Sequence, residues 1–413
     1  MGKPIDAARL FEAVRQFGSP VHVYDAEVIR ARIASLKSFD TVRFAQKACS
    51  NLHILRLMRA AGVKVDAVSG GEIERALRAG FSTQGDSPEL IYTADLFDRA
   101  TLDRVVELDI QVNAGSIDML EQLGARHPGH RVWLRINPGF GHGHSRKTNT
   151  GGDLSKHGIW HEELPAALAA IDRHGLDLVG LHMHIGSGAD FEHLSQVCEA
   201  MVAIATKAGR PIRAISAGGG LPIPYQEGDA CVDISEYFRL WDAARRRIEA
   251  IAGHKVHLEI EPGRYLVAES GKMVAEVRVV KHQAGNAFAL VDMGFNDLIR
   301  PSMYGSWHEI SVLGADGFEK TDSVKPFVVA GPLCESGDVF TQEEGGVVTT
   351  RELPEPSVGD YLVFHDTGAY GASMSSNYNS RPYAPEVLLE GGSLRPIRRR
   401  QGIEELLRLE EEV

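Results

Sequence analysis

VRFAQKACSN, residues 42–51, sets a short β-like run, Val42–Gln46, against a lysine and a polar turn that leads into a helix. An amine at the mouth of a buried strand suits Schiff-base chemistry, although a strand-end lysine in a salt bridge reads the same in isolation. Its company decides between them. Seven further β-rich runs follow: Val63–Val68, Leu90–Thr93, Ile110–Ala114, Val132–Ile136, Leu178–Met183, Ile212–Ser216 and Val256–Ile260. Several end in Gly, His, Asp, Glu or Arg, and helical patterns separate them. Eight strands alternating with helices predict an α/β fold, a (β/α)8 TIM-like barrel whose strand ends carry the chemistry, rather than an open doubly wound sheet. The punctuation agrees. Gly62, Gly80, Gly175, Gly209 and Gly253 stand where left-handed helix caps are wanted, and Ser69 with Glu72 reads as a capping box.

After about Gly271 the texture changes to β-rich runs without long helical spacers: Met273–Val280, Ala287–Asp292, Phe327–Val329, Tyr361–Phe364 and Val387–Leu389. This predicts a barrel over residues 26–270 and a second, mostly β domain formed by 1–25 and 271–413, which the early run Val21–Tyr24 joins. A final amphipathic helix is expected over Ile403–Glu411. The connection Gly139–Gly158 is long, polar and without period, either a lid or a surface insertion. Its GHGHSRKT lacks the glycine–lysine placement of a P-loop. His142 with His144, and His182 with His184, have metal-ligand spacing but no identifiable third ligand, so no metal is expected.

The chain has 413 residues and a net charge of −12, which argues against a nucleic-acid surface. Hydrophobic residues at 43% and charged residues at 24% are ordinary globular values. Cys49, Cys198, Cys231 and Cys334 are far apart and form no CxxC pair, so a reducing cytoplasm fits best. No signal-peptide pattern opens the chain and no apolar run approaches membrane-spanning length, so a soluble protein without a membrane partner is expected.

Three strand ends carry most of the chemical signal: HMHIGSG (His182–Gly188), SAGGG (Ser216–Gly220) and EIEPGR (Glu259–Arg264). Gly218, Gly219 and Gly220 let a backbone approach an anion closely, at the late barrel loops where phosphate commonly binds. A phosphate cradle facing Lys47 implies a phosphorylated aldehyde, which is pyridoxal 5'-phosphate. His184 is placed to stack on its ring and Glu261 to meet the ring nitrogen. A carboxylate there keeps the ring cationic and electron-accepting, which favours decarboxylation over racemisation. DTG (Asp366–Gly368) is a lone motif, whereas an aspartic protease needs two such carboxylates.

FAQKACSN, HMHIGSG, GGG, EPGR, GPLCESGD (Gly331–Asp338) and GAYGASMSSNYNSRP (Gly368–Pro382), taken in order over nearly the whole chain, resemble the fold-type III pyridoxal phosphate decarboxylases, most closely those acting on diaminopimelate. The resemblance implies a homodimer with active sites shared across the subunit interface. It makes Lys47 the cofactor lysine, His184 the stacking residue, Glu261 the pyridinium partner and Cys334 the proton donor, delivered from the other subunit. It assigns Ser187, Gly218, Gly219, Gly220, Gly263 and Tyr370 to the phosphate side, and Asp66 and Arg135 to the polar network around the lysine. Arg264, Arg300, Tyr304, Glu335 and Tyr370 then meet the substrate, the arginines clamping its distal carboxylate and Glu335 its distal amine. The implied reaction turns meso-2,6-diaminopimelate into L-lysine and carbon dioxide, the last step of lysine biosynthesis. A decarboxylase of another basic amino acid, a non-catalytic cofactor-binding homologue and a Schiff-base aldolase are the rival readings. Gly188 departs from the larger residue many relatives carry there.

Overall fold

The structure is a computed structural model that describes residues 5–85, 87–141, 151–184 and 191–413. It divides into two compact units, one of Ile33–Pro222 with Ala230–Tyr265, the other of Met1–Arg32, Ile223–Asp229 and Leu266–Val413.

The first unit is a closed parallel barrel. Its eight strands are Thr41–Ala45, Lys64–Ala67, Leu90–Ala94, Gln111–Ala114, Arg131–Asn137, Asp177–His182, Ala214–Ser216 and His257–Ile260. Each pairs with the next in chain order except where the circle closes, there by Glu259 opposite Thr41 and Ile260 opposite Val42. All eight runs read from the sequence are barrel strands, with ends that differ by one or two residues. Their interior is aliphatic, as strands covered on both faces require: Val65, Val112, Leu134, Leu181, Ile215 and Leu258 are fully buried.

Capping residues stop the extended chain and start the helices that follow the first four strands. Asn51 accepts from the His53 amide, Ser69 from Glu72, Asp98 from Thr101 and Ser116 from Met119. At Ser69 the reciprocal bond lands one residue early, Glu72 Oε2 accepting from the Val68 amide at 2.9 Å. The helices end as the glycine pattern predicts, Gly80 at φ 101° and Gly175 at φ 60°.

The second unit is a nine-stranded sheet built around one long strand, Gly271–Gln283. That strand pairs antiparallel with Val21–Asp25, Asn286–Val291 and Tyr361–Phe364. Val21–Asp25 also pairs parallel with Glu386–Glu390, so strands from opposite ends of the chain lie side by side. Three strands of this sheet escaped the sequence reading: Ile310–Leu313, Arg351–Pro354 and Ser393–Arg398. Met273, Ala275, Val277, Ala289, Val291, Phe327 and Phe364 form one face of its core, and Val21, Val23, Val274, Val363 and Val387 another. The helix Ile403–Glu411 ends the chain. Among the described residues no helix is long and apolar enough to cross a membrane.

Candidate active site

The carboxyl ends of the barrel strands gather the titratable residues. The strand Thr41–Ala45 stops in a single 3-10 turn, Gln46–Ala48, that turns Lys47 outward. Its amine makes no hydrogen bond or ion pair among the described residues, unlike most of the chain's surface cations, so it remains available as a nucleophile or imine-forming group.

Glu261 follows the last strand and is 6% exposed. Its Oε2 lies 2.8 Å from His182 Nε2, and its Oε1 accepts from Ser216 Oγ at 3.0 Å. Burial opposes its ionisation, but His182, Ser216 and the charge of Arg43 outweigh burial and draw the carboxyl down to about 2. Asp66, at the end of the second strand, goes the other way. Burial and repulsion from Glu261 hold it well above the ordinary carboxylate range, and its Oδ1 is buried without a hydrogen-bond partner. Two carboxyls in one low-dielectric space do not both ionise easily, so the pair divides into an anion, Glu261, and an acid, Asp66.

His184 is driven well below the usual imidazole range by burial and by the positive charges of Lys47 and Arg135. The Gly219 amide donates to its Nδ1 at 3.1 Å, which makes that nitrogen an acceptor and puts the ring's proton on Nε2. A neutral, oriented imidazole presents a flat face to a ring. Arg135 is buried, 8% exposed, and its guanidinium has no ion pair or hydrogen bond among the described residues; Asp95, Glu261 and Asp66 supply the nearby negative charge.

The glycines form a close-fitting wall. Gly218 has φ 62°, and a Cβ there would lie 2.4 Å from the Met183 carbonyl; at Gly219 it would lie 2.7 Å from the Glu261 carbonyl. Two of the three amides are already used, Gly218 donating to Ser216 Oγ and Gly219 to His184 Nδ1, which leaves the Gly220 amide without an acceptor among the described residues. Gly263 packs within 3.1 Å of Ala45 O by the same measure, holding the last strand's exit against the lysine turn. Ser187 and Gly188 lie outside the described residues, as do His142 and His144. Arg264, half-buried, opens the short helix Arg264–Val267.

The second unit holds the remaining sequence candidates on its own loops. Cys334 and Glu335 are exposed in a turn pinned by the buried Asp338, whose carboxylate accepts from the Leu333 and Phe295 amides at 2.8 and 2.7 Å. Asn379, at φ 54°, accepts from the Cys334 amide at 2.8 Å. Tyr370 has φ 59°, a left-handed conformation costly for an aromatic residue and commonest at functional sites. Arg300 is 4% exposed, lies over the Tyr225 ring at 4.6 Å and reaches His308 Nε2 at 2.9 Å. His308 Nδ1 meets the His365 carbonyl at 2.7 Å and so carries the ring proton, leaving Nε2 to accept from the arginine. Tyr304 closes the helix Arg300–Tyr304 and is half-buried.

Sequence reasoning missed several supports. Ser216 and His182 fix Glu261, and the HMH spacing held a signal for His182, because residues two apart on a strand share a face. Asp95 accepts from the Gly158 amide at 2.9 Å and lies 2.6 Å from His157 Nδ1, a link across 62 residues that no local pattern announces.

An uncommitted amine, an ionised buried carboxylate, a neutral histidine and a glycine wall fit pyridoxal phosphate, which needs an imine-forming group, a partner for its ring nitrogen, a stacking face and room for its phosphate. Residues 25–268 match the family model described as "Pyridoxal-dependent decarboxylase, pyridoxal binding domain". The chain is 64% identical over 408 residues to diaminopimelate decarboxylase of Escherichia coli strain K12, covering 98% of this chain and 97% of that protein. A crystal structure of diaminopimelate decarboxylase superposes with a TM-score of 0.96 at 64% identity, covering 98% of this chain and 97% of that one. The Helicobacter pylori enzyme, solved in complex with L-lysine, superposes with a TM-score of 0.85 at 31% identity, covering 97% of this chain and 99% of that one. The chain belongs to the pyridoxal-dependent decarboxylases, in the diaminopimelate decarboxylase family, and its cofactor is pyridoxal phosphate.

Proposed function

We propose that the protein decarboxylates meso-2,6-diaminopimelate at its D-configured centre, giving L-lysine and carbon dioxide. The observation that carries this reading is the 64% identity to a diaminopimelate decarboxylase over nearly the whole chain, joined to a barrel mouth where His182 and Ser216 fix the buried Glu261. When bound, pyridoxal phosphate supplies the electron sink for the bond that breaks. The chain's own residues do the rest. With the cofactor bound, Lys47 would hold it, the Glu261 carboxylate would lend its negative charge to the ring and His184 would offer its flat face. Ser187, Gly218, Gly219, Gly220, Gly263 and Tyr370 would line the phosphate side, with the Gly220 amide left to donate and Asp66 and Arg135 in the surrounding polar network. At the substrate carbon the carboxylate leaves as carbon dioxide, and the thiol of the partner's Cys334 returns a proton.

The distal end selects the substrate. Arg264, Arg300 and Tyr304 receive its second carboxylate and Glu335 its second amine. Lysine, ornithine and arginine lack that carboxylate, and a buried arginine without its anion costs several kcal/mol (about 3–5). The L-lysine bound to the Helicobacter pylori enzyme supports this product. We further assign the cofactor to a barrel domain of residues 26–270 and a contribution to the dimer-interface active site to the β-rich domain of residues 1–25 and 271–413. Four free cysteines support a cytoplasmic setting.

The test is an absorption spectrum of the purified protein with a panel of diaminopimelate, lysine, ornithine and arginine. The proposal expects cofactor absorbance and carbon dioxide release from diaminopimelate alone. Equal release from lysine or ornithine would move the activity to another diamino acid, and absorbance without release from any of them would leave a binding protein.

A further inference from the structure

At the opposite end of the barrel strands, the geometry points to a binding site for a divalent first-row transition ion of the zinc class, formed by Asp109, His127 and His130. One oxygen or nitrogen from each of these residues lies within 4.8 Å of the others. Two neighbouring turns create the cluster. His127, Pro128, Gly129 and His130 form a tight turn closed by the His130 amide on the His127 carbonyl at 3.3 Å, with Gly129 at φ 82°. Proline then glycine at the two central positions is the type II pattern, and it brings its first and last residues to one side. The imidazoles stand edge to face, 5.0 Å apart. Asp109 comes from the adjacent helix-to-strand turn in a left-handed conformation, φ 51°. The strands that follow, Gln111–Ala114 and Arg131–Asn137, are paired with Val112 opposite Val132, which fixes the two turns beside each other.

Hydrogen bonding turns two acceptors of the cluster toward each other. His130 is 1% exposed, and its Nε2 lies 2.7 Å from the Ile110 carbonyl, which can only accept, so Nε2 carries the proton. Its Nδ1 then turns a lone pair toward Asp109 Oδ1, 3.3 Å away, and has no hydrogen-bond partner. His127 Nδ1 is likewise buried without one. Arg131 Nη2 stands 3.5 Å from the other carboxylate oxygen, Oδ2, leaving Oδ1 facing the histidines. A cation satisfies all three groups together.

The donor set selects the ion. Two imidazole nitrogens and one carboxylate oxygen suit zinc, cobalt or nickel, whereas calcium and magnesium want six or more oxygens. The Ile110 carbonyl on the far nitrogen of His130 is the outer contact that metal-binding histidines characteristically make. Zinc at about 2.0–2.1 Å from each atom needs the ligands drawn slightly closer than they stand, within reach of the half-exposed Asp109 and His127 side chains. The ion would staple two adjacent turns at the strand starts, remote in sequence from Lys47, and it requires nothing of the decarboxylation.

Chelator-washed holoenzyme titrated calorimetrically with zinc chloride should take up one ion per chain at this site. Asp109→Asn and His127→Gln should each weaken that uptake by at least about 10-fold while leaving diaminopimelate turnover unchanged. Anomalous diffraction from zinc-soaked wild-type crystals should place the ion between Asp109, His127 and His130, a readout that does not depend on how the variants fold. Equal zinc affinity in wild type and both variants, or no anomalous peak at these three residues, overturns the site.

Discussion

Two buried arginines inside the same barrel behave in opposite ways. Arg43, on the first strand, is 1% exposed and fully engaged, with Nε on Glu259 Oε2 at 2.6 Å, Nη2 on Oε1 at 3.1 Å and Nη1 on the Pro88 carbonyl at 3.1 Å. Arg135, on the fifth strand, is almost as buried and has none of these bonds among the described residues. The first closes the circle by tying the first strand to the last. The second sits among Asp95, Glu261 and Asp66 with its donors unspent. A buried ion that is fully satisfied belongs to the architecture, and one left wanting marks where a ligand belongs. The same contrast separates Glu259, locked to Arg43, from Asp66, whose Oδ1 has no partner.

Five substitutions break or sharpen that contrast. Lys47→Ala has the largest effect, abolishing turnover and the cofactor's imine absorbance, measured by spectrum and carbon dioxide release; undiminished activity would refute the assignment. Arg43→Met should destabilise the protein by about 3–5 kcal/mol in urea titration, because Glu259 is left charged and buried, and pairing it with Glu259→Leu should restore most of the loss. If the double variant is no more stable than the single, the pair does more than neutralise itself.

Glu261→Gln comes next, with a pH signature. A carboxyl depressed to about 2 adds stability above its unfolded value of 4.5, and this stability disappears as pH falls through about 2. The variant's deficit in the cofactor-free protein, roughly 3 kcal/mol as an upper bound, should therefore be full at pH 7 and fade on acidification. Asp66→Asn should do the reverse. A raised carboxyl binds its proton more tightly folded than unfolded, so native stability declines as pH climbs past 3.8, and asparagine should remove that decline. Parallel pH profiles for the two variants would contradict the division into anion and acid. Arg135→Met should change stability least, holding or raising the urea midpoint while weakening cofactor retention. A loss as large as that of Arg43→Met would show that Arg135 is structural after all.

The barrel was legible because its strands are compact runs rich in apolar residues, several of them closed by a residue suited to a chemical task. Arg351–Pro354 and Ser393–Arg398 were not, since RELP and SLRPIR are polar, proline-bearing pieces that pair at the margins of the sheet, where burial imposes no alternation. Ile310–Leu313 offered only four residues, too short a run to stand out even beside the turn signal of Gly314–Gly317. In the site, Lys47, His184 and Glu261 announced themselves by position at strand ends. The Arg43–Glu259 pair did not, because its partners lie 216 residues apart and meet only when the barrel closes.

The parallel pairing of Val21–Asp25 with Glu386–Glu390 sets a timetable for biogenesis. Val21–Asp25 leaves the ribosome early, yet its first partner strand, Gly271–Gln283, follows about 250 residues later, roughly 10–50 s at ordinary elongation rates. The barrel segments can condense meanwhile, but this apolar ribbon must wait. Nascent chains interrupted before Glu386 would leave one edge of it open, a natural handle for chaperones and a seed for aggregation.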